Sequence, residues 1–295
     1  MNLPLIAVRA VYYIAALQLF GGLLFGVLFV AWRPALPNLR ALAWAMIGLI
    51  LLAMVVRLPI EAAAMSGEPM AKAVAGGMIG LVLRATRFGH FWMVRCALYV
   101  LAAIFLFWRG PVGTTLATIA AGAALLLVAV TGHAGATPGP GGMVHLGADM
   151  IHLAAASAWL GGLLPFAALF ARRQTPQRNA EAAQRFSLLG MVCVGLILAS
   201  GIVNSWFTVG TVPALFGTSY GHVLLVKLAL FLVLLAIAAI NHFGLTPRLA
   251  GGGVSAARSL RRNAMIEAAI GAVILIVVGV LGTLPTAYEV FARKL

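Results

Sequence analysis

Apolar runs long enough to cross a bilayer recur along this whole 295-residue chain, and they leave few architectures open. In hydrocarbon a backbone must satisfy its own hydrogen bonds, so only helices and closed barrels span. These runs are continuous and do not alternate, which selects helices. They lie at approximately 10–32, 40–60, 89–108, 112–132, 144–171, 184–207, 220–244 and 263–284. The expectation is an all-α integral membrane protein, a polytopic bundle of eight transmembrane helices forming a single membrane domain over 1–295. The first run has only Arg9 before it and continues uncharged from Ala10 to Trp32, so it reads as a retained helix, not a cleaved signal. Only 9% of residues are charged, against about 25% in an ordinary soluble domain, which excludes that class.

The net charge of +14 does not signal nucleic acid. Its Lys and Arg residues stand at the ends of apolar runs, where they anchor helices and set topology. Arg57 and Arg95 interrupt the second and third runs and are expected to snorkel outward. Glu61 is expected to pair locally with Arg57, and Glu267 with Arg261 or Arg262. Pro69 to Arg84 predicts an interfacial helix, with proline in its first turn and Glu68 at its positive end. Gly251 to Gly253 predicts a loop. Cys96 and Cys193 are isolated and read as small core residues.

Charge asymmetry gives an orientation. Arg172, Arg173, Arg178 and Arg185 flank one loop and Arg248, Arg258, Arg261 and Arg262 another, while 133–143 and 208–219 carry no Lys or Arg. The basic loops are expected in the cytoplasm and both termini in the periplasm. The segment bearing Lys72, Arg84 and Arg87 fits this less well. His90, His133, His145, His152 and His222 then fall on the outer side with Met65, Met70, Met78, Met93, Met143 and Met150; His242 falls on the cytoplasmic side.

One stretch concentrates chemistry. Between His133 and His152 lie three of the six histidines and, at Asp149, one of only six carboxylates. Ionisable groups near a bilayer core cost several kcal/mol unless paired, solvated or metal-bound. His145, Asp149 and His152 are spaced i, i+4, i+7 and line one helical stripe. The two histidines are about 10 Å apart along the axis, with Asp149 between them. The spacing predicts two stations in series. The outer one is His145, completed by His133; the inner one is Asp149 with His152. His222 is available to either, and His90 and Met93 are further candidates on the same side. Imidazole suits copper, zinc and nickel, and the thioethers of Met143 and Met150 favour Cu(I) over Cu(II) or zinc. Asp149 either ligates or orients a histidine. Lys227 either snorkels or pairs with Asp149 and gates it. Asn204 is a hydrogen-bonding residue at the outer end of its helix, and Trp159 a hydrophobic floor beneath the site.

Several segments are familiar together: Gly132-His133-Ala134; Asp149 and His152 followed by Trp159-Leu160-Gly161-Gly162; Arg185-Phe186-Ser187; Ser200-Gly201-Ile202; Tyr220-Gly221-His222 with Lys227; Asn241 with Arg248; and Leu284-Pro285-Thr286. In this order they resemble the copper resistance protein D (CopD) family. The resemblance implies a multi-pass protein of the bacterial inner membrane that moves copper from periplasm to cytoplasm. It also implies a periplasmic copper chaperone, CopC, as partner. Some relatives carry that partner fused at the amino terminus; with a first helix beginning near residue 10, it is expected here as a separate protein. Two other functions fit the residues. One is a haem-binding redox protein with axial ligands among His90, His133, His152 and His222; the other is a non-transporting membrane partner of a periplasmic metallochaperone. No P-loop or serine nucleophile elbow is present, so no enzyme is expected.

Overall fold

The computed structural model describes residues 3–292 apart from positions 37, 173 and 250. Arg173, counted above among the basic loop residues, therefore lies outside the described residues. Among the described residues, eight helices are long and apolar enough to cross a membrane. They are α1 (Leu3–Leu28), α2 (Leu39–Ser66), α3 (Arg87–Phe107), α4 (Pro111–Val130), α5 (Pro140–Leu160, continued by Leu163–Leu169), α6 (Pro176–Thr208), α7 (Ser219–Leu249) and α8 (Val254–Leu281). Among the described residues there is no strand. The chain is an all-α polytopic membrane protein.

Helix α1 is the most enclosed span and α7 the least. Tyr12 and Leu19 of α1 pack with Ile50, Tyr99, Leu106 and Leu125 from α2, α3 and α4. Phe25, in the last turns of α1, joins a second cluster with Trp159, Phe166, Phe186 and Leu260 from α5, α6 and α8. The crossing of α1 with α5 is close because both present glycine. A Cβ on Gly21 would stand 1.9 Å from Ser157 O, and one on Gly161 2.3 Å from Leu17 O. Small residues let membrane helices approach until backbone atoms touch. Ser157 Oγ donates to Leu17 O at 2.7 Å and Gln18 Nε2 to Gly161 O at 2.8 Å across this contact.

The helices alternate in direction, so the loops separate into two ends. At one end Arg87 donates to Gly135 O at 2.7 Å and Arg9 to Gly282 O. At the other, Arg178 donates to Ala31 O at 2.7 Å, Arg40 to Leu106 O, and the Arg185 guanidinium lies 5.1 Å from the Trp32 ring centre. This second end holds the arginines of α6 and α8.

Several expectations are corrected. Pro69 to Arg84 does not form one helix; Met70–Ala75 and Met78–Ala85 are separate, broken where Gly77 adopts a left-handed φ of 75°. Arg57 and Arg95 do not snorkel. Arg57 is buried and donates to Glu61 Oε1 at 2.7 Å, as spacing predicted, but Arg9 joins the same carboxylate at 3.8 Å. Arg95 is only 2% exposed, with its guanidinium 5.8 Å from the Tyr12 ring centre and Nη1 lacking a hydrogen bond. Both arginines face the bundle interior, where neighbouring helices supply partners that outward-facing lipid does not. Glu267 does not pair with Arg261 or Arg262 among the described residues; it turns inward and accepts from Asn241.

Candidate functional site

The site is built at the end where α4 meets α5. After α4, one helical turn (His133–Ala136) leads through Thr137 into α5, which starts behind Gly139 (φ 72°) and Pro140. Proline at the first helical position loses no hydrogen bond the helix would have made. The turn sets Thr137 Oγ1 2.7 Å from His145 Nδ1, and the same hydroxyl reaches His133 O at 3.3 Å. With the hydroxyl hydrogen on His133 O, Nδ1–H of His145 donates to Thr137 and Nε2 keeps its lone pair. His145 is 3% exposed, and its ring stacks on Phe207 at 4.8 Å.

His152 is held in the same manner one station further along α5. Its Nδ1 lies 3.1 Å from Ser200 Oγ on α6. The Ser200 hydroxyl is 2.5 Å from Leu196 O, so it donates to the backbone and accepts from His152. Here too Nε2 remains as the free ring nitrogen. A histidine whose other nitrogen is fixed by a hydrogen bond is oriented for ligation.

Between them, Asp149 Oδ1 accepts from Asn204 Nδ2 at 3.3 Å, while Asn204 Oδ1 is buried without a partner. Lys227 of α7 and His133 both lie within electrostatic range of Asp149. Lys227 makes no direct ion pair with it among the described residues. Lys227 lies within the same range of His152, and His133 of His145. His133 meets the Tyr220 ring edge-on at 6.0 Å, and its Nε2 is buried without a hydrogen bond. The cluster thus joins α5, α6, α7 and the turn before α5 in one polar group.

Other candidates stand apart. His222 Nε2 is bonded to Phe216 O at 2.8 Å and His90 Nε2 to Arg84 O at 2.9 Å, both in exposed positions. Each ties its helix start to the short helix before it, Met78–Ala85 for His90 and Val212–Gly217 for His222. Met143 is 73% exposed and Met93 is exposed, so neither thioether enters the cluster; Met150 is half-buried on α5. Trp159 is buried two turns beyond His152. Among the described residues, no three His, Cys, Asp or Glu side chains converge tightly enough to hold an ion together. Sequence reasoning gave Thr137, Ser200, Phe207 and Tyr220 no part in the site. Ser200 and Tyr220 stood within the quoted motifs, but no local spacing ties Ser200 to a histidine 48 positions away.

Fold and site define a polytopic helical membrane protein with a histidine and carboxylate cluster sunk at one end of its bundle. Residues 1–143 match the model of the copper resistance protein D-like N-terminal domain, and residues 180–281 that of copper resistance protein D. The chain is 33% identical over 307 residues to Copper resistance protein D of Pseudomonas syringae pv. tomato, covering 96% of this chain and 97% of that protein. It is 30% identical over 293 residues to Inner membrane protein YebZ of Escherichia coli (strain K12), covering 95% and 97%. It is also 33% identical over 302 residues to Copper transport protein CutJ of Bacillus subtilis (strain 168), covering 95% of this chain and 52% of that protein. The chain thus spans about half the length of that relative. No solved structure matches. The chain belongs to the copper resistance protein D family.

Proposed function

We propose that this protein binds copper at the inner membrane of a bacterium and carries it from the periplasm toward the cytoplasm. Copper enters at His133 and His145 and passes to Asp149 and His152. The observation that carries this reading is the matched presentation of His145 and His152. Both lie on one stripe of α5, both have Nδ1 engaged by a hydroxyl, and both keep Nε2 free on either side of a carboxylate. Cu(I) is the favoured cargo, with Cu(II) and zinc accepted by the same imidazole and carboxylate donors. Lys227 competes with the cation for Asp149 and so weakens retention, which suits passage more than storage.

The arginine-rich end faces the cytoplasm by the positive-inside rule, and the cluster end and both termini face the periplasm. Exposed Met143 at that end is a landing donor for copper handed over by a periplasmic CopC-like chaperone. This role needs no chemical transformation of the cargo.

The test is Cu(I) titration and uptake in sealed proteoliposomes for the unaltered protein, Asp149→Asn and His152→Ala. The expected outcome is weaker binding and lost uptake in both variants. Unchanged affinity and stoichiometry in both would reject the site; binding without uptake in the unaltered protein would reject transport.

A further inference from the structure

A second polar group lies at the far side of Trp159, in a half-open cavity of about 270 Å³ lined by α5, α6, α7 and α8. Its walls are mostly apolar, with Trp159, Phe166, Phe186 and Leu260 among them. Into this apolar space three donors of distinct chemistry are brought: the carboxylate of Glu267, the imidazole of His242 and the thioether of Met191.

Glu267 is 2% exposed and has no cationic partner among the described residues. It is held by neutral amides instead. Asn241 Nδ2 donates to Glu267 Oε1 at 2.6 Å, and Asn263 Nδ2 donates to Asn241 Oδ1 at 2.8 Å. A buried carboxylate fixed by dipoles alone still needs a cation or a proton to offset its desolvation. His242 also meets a serine hydroxyl, with Nδ1 2.5 Å from Ser187 Oγ, which fixes the orientation of its ring. The backbone supports this placement. Residues Ile240–Leu245 form a π-helical turn, the insertion that re-aims side chains and recurs at functional sites. Thr246 Oγ1 donates to Asn241 O at 2.9 Å inside that turn.

We propose that Glu267, His242 and Met191 form a second cation station, which takes a soft monovalent cation of the Cu(I) class on the basic-end side of Trp159. The proposal rests on the transport reading above, since it supplies the site that follows Asp149 and His152 on the same helices. Trp159 follows His152 by seven positions on α5, about 10 Å along the axis, and separates the two stations. The cavity exceeds the size of a bare ion, so the cation keeps part of its hydration there, each water occupying about 30 Å³. Thioether and imidazole select Cu(I) over hard cations of the same charge, while the carboxylate neutralises it.

The experiment is anaerobic Cu(I) titration against a competing chromogenic chelator, with uptake into proteoliposomes measured on the same preparations of the full chain. The unaltered protein is expected to show two classes of bound Cu(I). The double variant Glu267→Gln/His242→Phe is expected to lose one class and its uptake while keeping the outer class. Asp149→Asn/His152→Phe is expected to lose the other class and keep this one. Met191→Leu, which removes only the sulfur from a half-exposed side chain, is expected to bind the inner Cu(I) roughly 10-fold more weakly. It serves if the double variant fails to fold. Full stoichiometry and wild-type uptake in Glu267→Gln/His242→Phe, or unchanged inner affinity in Met191→Leu, overturns the inner station alone. If Asp149→Asn/His152→Phe changes nothing, the outer site fails instead, and the inner station stands or falls on its own class of bound copper.

Discussion

His152 Nδ1 and Ser200 Oγ stand 3.1 Å apart across the α5–α6 contact, and the same hydroxyl is 2.5 Å from Leu196 O. One serine thereby fixes both the rotamer of a histidine and the ring nitrogen that stays free. Ser200 acts through His152 as a positioning residue. Ser200→Ala is expected to weaken Cu(I) binding roughly 10-fold, the usual cost of losing a group that orients a ligand. Ser200→Thr, which keeps the hydroxyl, is expected to restore affinity in the same titration. Equal weakening by both variants would assign the effect to packing.

The histidines are not equivalent. His145 is buried in the cluster, whereas His222 is exposed and spends Nε2 on Phe216 O. His145→Ala is expected to lower Cu(I) affinity roughly 10- to 100-fold, and His222→Ala to leave it within about twofold. A large loss in His222→Ala would place the entry site on α7.

Among the described residues, Glu61 is the only carboxylate partner of Arg9 and Arg57, both of which reach Oε1. Removing its charge leaves two enclosed guanidinium groups without an anion. Breaking a buried pair from one side costs about 3–5 kcal/mol. Glu61→Gln is expected to lower the thermal unfolding midpoint in detergent strongly. Adding Arg57→Met is expected to recover part of the loss, because one orphaned charge is then gone.

Two glycines separate packing from propensity. At Gly21 an added methyl meets Ser157 O at 1.9 Å, so α1 and α5 must move apart. Gly21→Ala is expected to cost about 1–3 kcal/mol by overpacking. Gly48 has nothing within 4 Å of the same added atom. Gly48→Ala is expected to be neutral or stabilising by about 0.5–1 kcal/mol, the helix preference for alanine. Thermal melts of the two variants side by side check the contrast.

Orientation is open to labelling. Ala136 and Ser255 are exposed at opposite ends of the bundle. In a background lacking Cys96 and Cys193, Ala136→Cys is expected to react with a membrane-impermeant maleimide in intact spheroplasts. Ser255→Cys is expected to react only after permeabilisation. The reverse pattern would invert the topology and with it the direction of transport.

Sequence alone determined the eight helices, because continuous apolar runs admit no other spanning structure, and the family followed from ordered motifs around Asp149 and His152. It also determined that His145, Asp149 and His152 share a stripe, since helical periodicity is a local rule. Tertiary structure decided the partners. Thr137, Ser200 and Asn204 reach the α5 stripe from the preceding turn and from α6, and Arg9 reaches Glu61 from α1. Hydropathy records how strongly a segment prefers lipid but not which face of it meets which neighbour. That is why Arg57, Arg95 and Glu267 were expected at the surface and lie inside. Their enclosure depends on helix crossings set by contacts such as Gly21 against Gly161, between residues 140 positions apart along the chain.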